Sequence, residues 1–265
     1  ARPHVTGTAF RREEHLVWKD RSGTIAFLGW QAATDVFELG SNWHHDDRGV
    51  TAFTRHLWPK GGMWDRGESW ASQLHRRVEG SRIVEAAESL GGVFTMLSIG
   101  VEGRGGIATD PLAATVLYRA ENDDVVAYSS RAALAARAVT PPGREPARDA
   151  WSMGWHTVLG YIVGDGTGFV GTTALPAGSW VELDPRFGSR VRNDNPTPWT
   201  TELPGDREAV LRLAHEDLAA EIRSVASLPG TELKADITGG RDSRLILALL
   251  VEQGLADRLD RKSVV

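Results

Sequence analysis

The sequence predicts an α+β chain in two unequal parts: a strand-dense stretch over residues 1–192 and the opening of an α/β unit over 205–265. Three observations carry this. Short β-branched and aromatic runs bounded by Gly, Asn or Asp recur through the first part. The segment 193–204 (NDNPTPWTTELP) holds three prolines and no periodicity, which marks a linker. Behind it the order becomes amphipathic helix, short strand, Gly-containing loop and apolar helix.

In chain order, strands are expected at 24–30 (TIAFLGW), 93–99 (VFTMLSI), 114–119 (ATVLYR) and 125–129 (VVAYS). The polar run Glu121-Asn122-Asp123-Asp124 joins the last two into a hairpin. Residues 178–183 (GSWVEL) alternate and predict another strand. Over 68–78, Trp70, Leu74 and Val78 stand four apart, the spacing of one helix face. Ser81 is placed to cap a helix running to Leu90, and 130–138 reads as a third helix with Ala and Leu facing inward. After the linker, Asp206 caps a helix to about Ala226, with Val210, Ala214, Leu218, Ile222 and Val225 along one face. Pro229-Gly230 breaks it. A strand at 233–237, a loop at 238–244 and an apolar helix at 245–253, stopped by Gly254, complete the pattern, with 263–265 as the start of a further strand.

Composition narrows the chemistry. At ~100–200 residues per domain, 265 residues make one large domain or two ordinary ones. The absence of Cys excludes a disulfide scaffold, a thiolate zinc site, an iron–sulfur cluster and a Cys nucleophile within these residues. The longest strong apolar run, 245–251, falls short of the ~18 residues of a membrane span, and residues 1–4 (ARPH) show no signal-peptide pattern, so a cytoplasmic location is expected. A net charge of −5, with 26 Arg and 4 Lys scattered along the chain, argues against nucleic acid as a partner. Six of the ten Trp precede residue 71 and are expected to fill the core of that half.

The most informative string is Thr238-Gly239-Gly240-Arg241-Asp242-Ser243-Arg244. A strand feeding a Gly-Gly turn into a helix presents backbone N–H groups at the positive end of the helix dipole, a setting suited to phosphate. Gly239 and Gly240 carry no Cβ to block close approach, Thr238 and Ser243 offer hydroxyls, and Asp242 is a candidate ligand for Mg²⁺. The spacing is neither that of a Walker A loop nor G-x-G-x-x-G.

This string resembles the pyrophosphate-binding loop, S-G-G-x-D-S, of the ATP pyrophosphatases, and its continuation SRLILALL resembles the asparagine-synthetase branch of that superfamily. The resemblance extends upstream. Thr109-Asp110-Pro111-Leu112-Ala113, Leu117-Tyr118-Arg119, Tyr128-Ser129-Ser130-Arg131-Ala132-Ala133-Leu134 and Leu175-Pro176-Ala177-Gly178 follow in the order of the late glutaminase signatures of asparagine synthetases. It covers about residues 91–255. It implies a four-layer αββα sandwich of the N-terminal-nucleophile type over 1–192, a linker over 193–204, and over 205–265 the first piece of an ATP-pyrophosphatase domain.

The departures shape the functional expectation. The family's glutaminase half works through an N-terminal Cys, and this chain has none. The signature Gly is replaced by Ala113, and the Ser opening the pyrophosphate loop by Thr238, which keeps the hydroxyl. Cys-less members, the β-lactam synthetases and lasso-peptide cyclases, resemble this arrangement. The resemblance therefore implies an ATP-dependent amide-forming ligase without glutamine hydrolysis, using ATP and Mg²⁺ on a small-molecule or peptide carboxylate. Thr238, Gly239, Gly240, Asp242 and Ser243 would bind pyrophosphate, Asp242 would hold Mg²⁺, and no catalytic residue is assigned. Because 27 residues follow Thr238, a truncated or split form is expected, with a second subunit or self-association covering the apolar face of 245–251. The alternatives are a decayed glutamine-dependent asparagine synthetase and a non-catalytic peptide- or partner-binding subunit.

Other polar clusters are read as structure. His44-His45-Asp46-Asp47 is expected to form a polar surface turn, since adjacent residues rarely point at one ion. His75 and His215 are expected on helix surfaces, and Asp110, before Pro111, in a turn or local hydrogen bond. There is no G-x-S-x-G elbow for a Ser–His–Asp triad.

Overall fold

Two-residue periodicity sorts the longest strands onto two faces of one large antiparallel sheet. The computed structural model describes residues 13–32, 41–60, 64–65, 68–78, 83–192, 205–227, 235 and 240–259. Six strands form the sheet: β3 (Trp43–His45), β4 (Gly49–Pro59), β5 (Leu90–Gly100), β6 (Gly105–Thr109), β10 (Trp180–Asp184) and β11 (Gly188–Arg192), in the order β11-β10-β6-β5-β4-β3. A smaller pair, β1 (Glu13–Lys19) and β2 (Ala26–Ala32), and a three-stranded sheet, β7 (Tyr118–Glu121), β8 (Val126–Ser129) and β9 (Thr172–Ala174), complete the β structure. The whole is a mixed α+β arrangement built on antiparallel pairing.

One face of the large sheet carries helices. Phe53 and Leu57 of β4 and Phe94 and Met96 of β5 pack with α1 (Trp70–Val78) and α2 (Ile83–Glu88). Trp70, Leu74 and Val78 are all buried, as their spacing predicts. Gln73 holds the approach to α1: its side chain accepts from Asp65 N–H (2.7 Å) and donates to the carbonyls of Asp65 (2.9 Å) and Glu68 (3.1 Å). The opposite face gathers Val50, Ile99, Ile107, Val181 and Leu183, covered by Leu16, Trp18 and Phe27 from β1–β2 and by Leu117, Tyr128 and Leu175. Helix α3 (Ala132–Val139) packs on the three-stranded sheet.

Gly106 of β6 lies under Ile83 of α2. A Cβ there would lie 2.6 Å from Ile83 Cγ2 and 2.6 Å from the Val181 carbonyl. Gly106→Ala is therefore expected to lower stability by about 1–3 kcal/mol, the range for overpacking, read as a lower denaturant midpoint.

The predicted hairpin forms, with Tyr118 opposite Ser129 and Glu121 opposite Val126. Its first strand starts at Tyr118 rather than at 114, because the Asp110 side chain collects the N–H groups of Leu112, Ala114 and Thr115 into a turn. A helix absent from the sequence reading, α4 (Ala150–Leu159), is capped by the Asp149 side chain and ends at left-handed Gly160.

Asp206 caps α5 (Arg207–Ala226) as expected, accepting from Glu208 and Ala209 N–H. The predicted apolar face is corrected. Ala214, Leu218 and Val225 are exposed, while Ala219, Ser224 and Ala226 are buried. Burial is concentrated at the C-terminal end, where Trp58 Nε1 donates to Glu221 (2.7 Å) and Arg258 donates to the Ala226 carbonyl (2.6 Å). Polar pairs, His215–Glu252 at 2.8 Å and Arg223–Gln253 at 2.6 Å, join α5 to α6 (Arg241–Glu252) and its C-cap, and His215 is exposed as expected. Gly254, with φ 69°, follows α6 and its C-cap Gln253. The linker 193–204, Ser81, Pro229-Gly230, 263–265 and, apart from Ala235, the strand at 233–237 lie outside the described residues. Among the described residues no helix is long and apolar enough to cross a membrane.

Candidate functional site

Chemistry-bearing side chains gather at two places. The first is the start of α6. Thr238 and Gly239 lie outside the described residues; Gly240, Asp242 and Ser243 lie within them. The helix begins at Arg241, four residues before the position read from the sequence, so 241–244 form its first turn instead of a loop. Gly240 is the N-cap, extended at φ −73° and ψ 164°, and gives no side-chain cap. The first-turn amides thus have no intrahelical acceptor and lie at the positive end of the dipole. Asp242 is exposed in that turn and has no hydrogen-bond or ion-pair partner among the described residues. Ser243 Oγ and Arg244 Nε both donate to the Gly240 carbonyl, at 3.3 and 3.2 Å. The exposed side chains of Leu245, Ile246 and Val251 leave part of the helix apolar and uncovered, while Leu249 and Leu250 are buried.

The second place lies on the helical face of the large sheet. Strand register sets His44, Thr51 and Ser98 side by side across β3, β4 and β5. Helix α1 crosses this row and places His75 over it. His75 Nδ1 is 2.8 Å from Thr51 Oγ1, which is 2.9 Å from Ser98 Oγ. On the other side of the ring, His75 Nε2 is 3.3 Å from Asp46 Oδ1. The rings of His44 and His75 stand 5.1 Å apart at 50°. Asp46 sits in the turn between β3 and β4. Its Oδ1 accepts the Arg48 backbone N–H at 2.9 Å, and its Oδ2 accepts Arg48 Nε and Nη2 at 2.9 and 2.7 Å.

Electrostatics follows this geometry. Burial opposes the charge on Asp46, but the Arg48 hydrogen bonds and the neighbouring His75 outweigh it and hold the carboxyl well below the usual range. Burial first, and then the adjacent His75, lower the pKa of His44 and favour its neutral imidazole.

Two sequence expectations change here. His75 is buried, with 7% exposure, not on the surface. It borders the Leu74 face of α1, and the polar row beneath accepts its ring where an apolar row would not. Of the segment 44–47, expected as a surface turn, His44 and His45 stand in β3 and the turn starts only at Asp46; His45 and Asp47 are exposed, but His44 and Asp46 are half-buried and near His75. The available signal was the close spacing His44-x-Asp46 alone.

Comparison with known proteins finds no matching family model and no matching curated protein. One solved structure, described as that of the allosteric regulatory enzyme of purine biosynthesis, aligns over 91% of this chain and 54% of its own, at 12% identity and a TM-score of 0.35. The chain thus spans about half the length of that protein, and likeness at this level carries no argument about activity.

Proposed function

We propose that this chain is an asparagine-synthetase-like, ATP-dependent amide-forming ligase, in which 1–192 is a glutaminase-like domain without glutamine hydrolysis and 205–265 begins the nucleotide-binding domain. The observation that carries the reading is the string at the start of α6: Gly240 as an N-cap with no side chain, then Asp242 exposed in the first turn with no partner among the described residues. These residues fit a phosphate and its cation, because the amides supply donors and the carboxylate an oxygen ligand. The first-turn amides and the hydroxyls of Thr238 and Ser243 would hold the pyrophosphate end of ATP, and Asp242 would hold Mg²⁺, which stabilises charge on the leaving pyrophosphate when bound. The reaction joins a carboxylate to the α-phosphorus of ATP with loss of pyrophosphate, and an amine then displaces AMP to form the amide.

Calorimetric titration of the protein with Mg²⁺–ATP tests this. Saturable binding is expected, weakened at least about tenfold, or ~1.4 kcal/mol, by Asp242→Ala. Absence of binding to the parent protein, or binding indifferent to that substitution, would overturn the reading. A second reading, a non-catalytic partner-binding subunit, is favoured by the exposed Leu245, Ile246 and Val251. It predicts no heat with Mg²⁺–ATP and co-purification of another chain.

A further inference from the structure

The geometry points to a divalent-metal site at His44, Asp46 and His75, one that takes Zn²⁺ on three protein ligands and leaves a fourth position for water. It shares no residue with the α6 loop and does not depend on the ligase reading. The ligand atoms of the three residues all lie within 4.8 Å of one another. Zinc bonds of roughly 2.0–2.2 Å to N and O give a tetrahedral edge of about 3.3–3.6 Å. The separation between His75 Nε2 and Asp46 Oδ1 is 3.3 Å, already an edge of that size. His44, on β3, brings a ring nitrogen within 4.8 Å of both atoms.

The surroundings hold these ligands as a metal site requires. Ligating imidazoles are oriented by a hydrogen bond at the other ring nitrogen. Here that bond runs from His75 Nδ1 to Thr51, which is fully buried and itself bonded to Ser98. With Nδ1–H donating to Thr51, the Nε2 lone pair faces a carboxylate oxygen, and a cation between them resolves the repulsion. Arg48 fixes Asp46 through its guanidinium on Oδ2 and its backbone N–H on Oδ1, which leaves Oδ1 a second lone pair for one-oxygen ligation. All positions are set by a hairpin, a strand pair and a helix, not by a long loop. Three nitrogen and oxygen ligands, with no thiolate available, form the open type of zinc site.

The same atoms close without metal if Nε2 bears the proton and donates to Asp46 while Nδ1 accepts from Thr51. Metal titration separates the two arrangements. The protein, purified without a polyhistidine tag and stripped with chelator, is titrated with Zn²⁺ by calorimetry and with Co²⁺ by visible absorption. One-to-one binding and tetrahedral Co²⁺ bands are expected. His44→Gln and Asp46→Asn, at half-buried positions, should each weaken binding at least tenfold with the far-ultraviolet circular dichroism unchanged. Thr51→Val should weaken it about 10–100-fold through loss of ring orientation. His45→Gln, at the exposed neighbouring position, should leave it unchanged. No saturable uptake by the folded protein, or uptake that survives His44→Gln combined with Asp46→Asn, would overturn the site.

Discussion

Phe94→Ala is expected to lower the free energy of unfolding by about 3–5 kcal/mol, the range for deleting a fully buried aromatic ring. Phe94 has no exposed surface and lies in the cluster with Leu57, Trp70 and Leu74, between the large sheet and α1. The cluster also contains Val78, Ile83 and Met96, so the ring is enclosed by side chains from both helices and by its own strand. Alanine would leave a cavity that β4 and β5 cannot close, because their pairing is continuous from Gly49 opposite Gly100 to Pro59 opposite Leu90. The loss would be a large share of a typical total of ~5–15 kcal/mol. Urea denaturation followed by circular dichroism gives the number directly. A midpoint unchanged by Phe94→Ala would mean that the helical face contributes little to the cooperative unit. Phe94→Leu should retain most of the stability, which separates loss of volume from loss of aromatic contact.

Where periodicity and capping act locally, the sequence was readable. Trp70, Leu74 and Val78 announce the buried side of α1, Asp206 its cap on α5, and Glu121–Asp124 the β7–β8 turn. Asp149 and Gly160, at the ends of α4, carry the same kind of signal. The strand β4 was not legible, because Thr51, Thr54, Arg55 and His56 interrupt its apolar residues. Its burial depends on helices on one face and strands on the other, which no local pattern records. On α5, three- and four-residue spacing named a face correctly as helical but not as buried. Periodicity gives orientation along a helix, and burial needs a neighbour.

The same distinction separates the two candidate sites. The α6 loop is contiguous in sequence, and its residues could be assigned without coordinates. The histidine–carboxylate cluster joins residues 44, 46 and 75, and is supported by 51 and 98. Its assembly requires the register that sets His44 opposite Thr51 and Thr51 opposite Ser98. A one-residue slip in either pairing would turn the row to the other face and dissolve the site.

Asp110→Ala is expected to cost about 3–5 kcal/mol, since hydrogen bonds to a charged group contribute ~1.5–3 kcal/mol each and the N–H of buried Thr115 is left unsatisfied. Asp110 is 2% exposed and holds a turn by itself. Its Oδ1 accepts from Leu112 and Ala114 N–H and its Oδ2 from Thr115 N–H, each at 3.1 Å. Its backbone is tied on both sides, donating to the Phe94 carbonyl at 2.9 Å and accepting from Ala113 at 2.9 Å. The turn forces Ala113 to φ 47°, in the left-handed region. The carboxylate therefore maintains a conformation that a Cβ disfavours by about 1–2 kcal/mol. Two companion variants sharpen the test. Asp110→Asn keeps one acceptor oxygen and should lose less than Asp110→Ala. Ala113→Gly relieves the strained backbone and should leave stability unchanged or raised, because the relief offsets the added freedom of the unfolded chain. Thermal and urea unfolding of the three variants gives the ranking. If Asp110→Ala proves neutral, the three amides are satisfied by water and the turn is held by its backbone bonds alone.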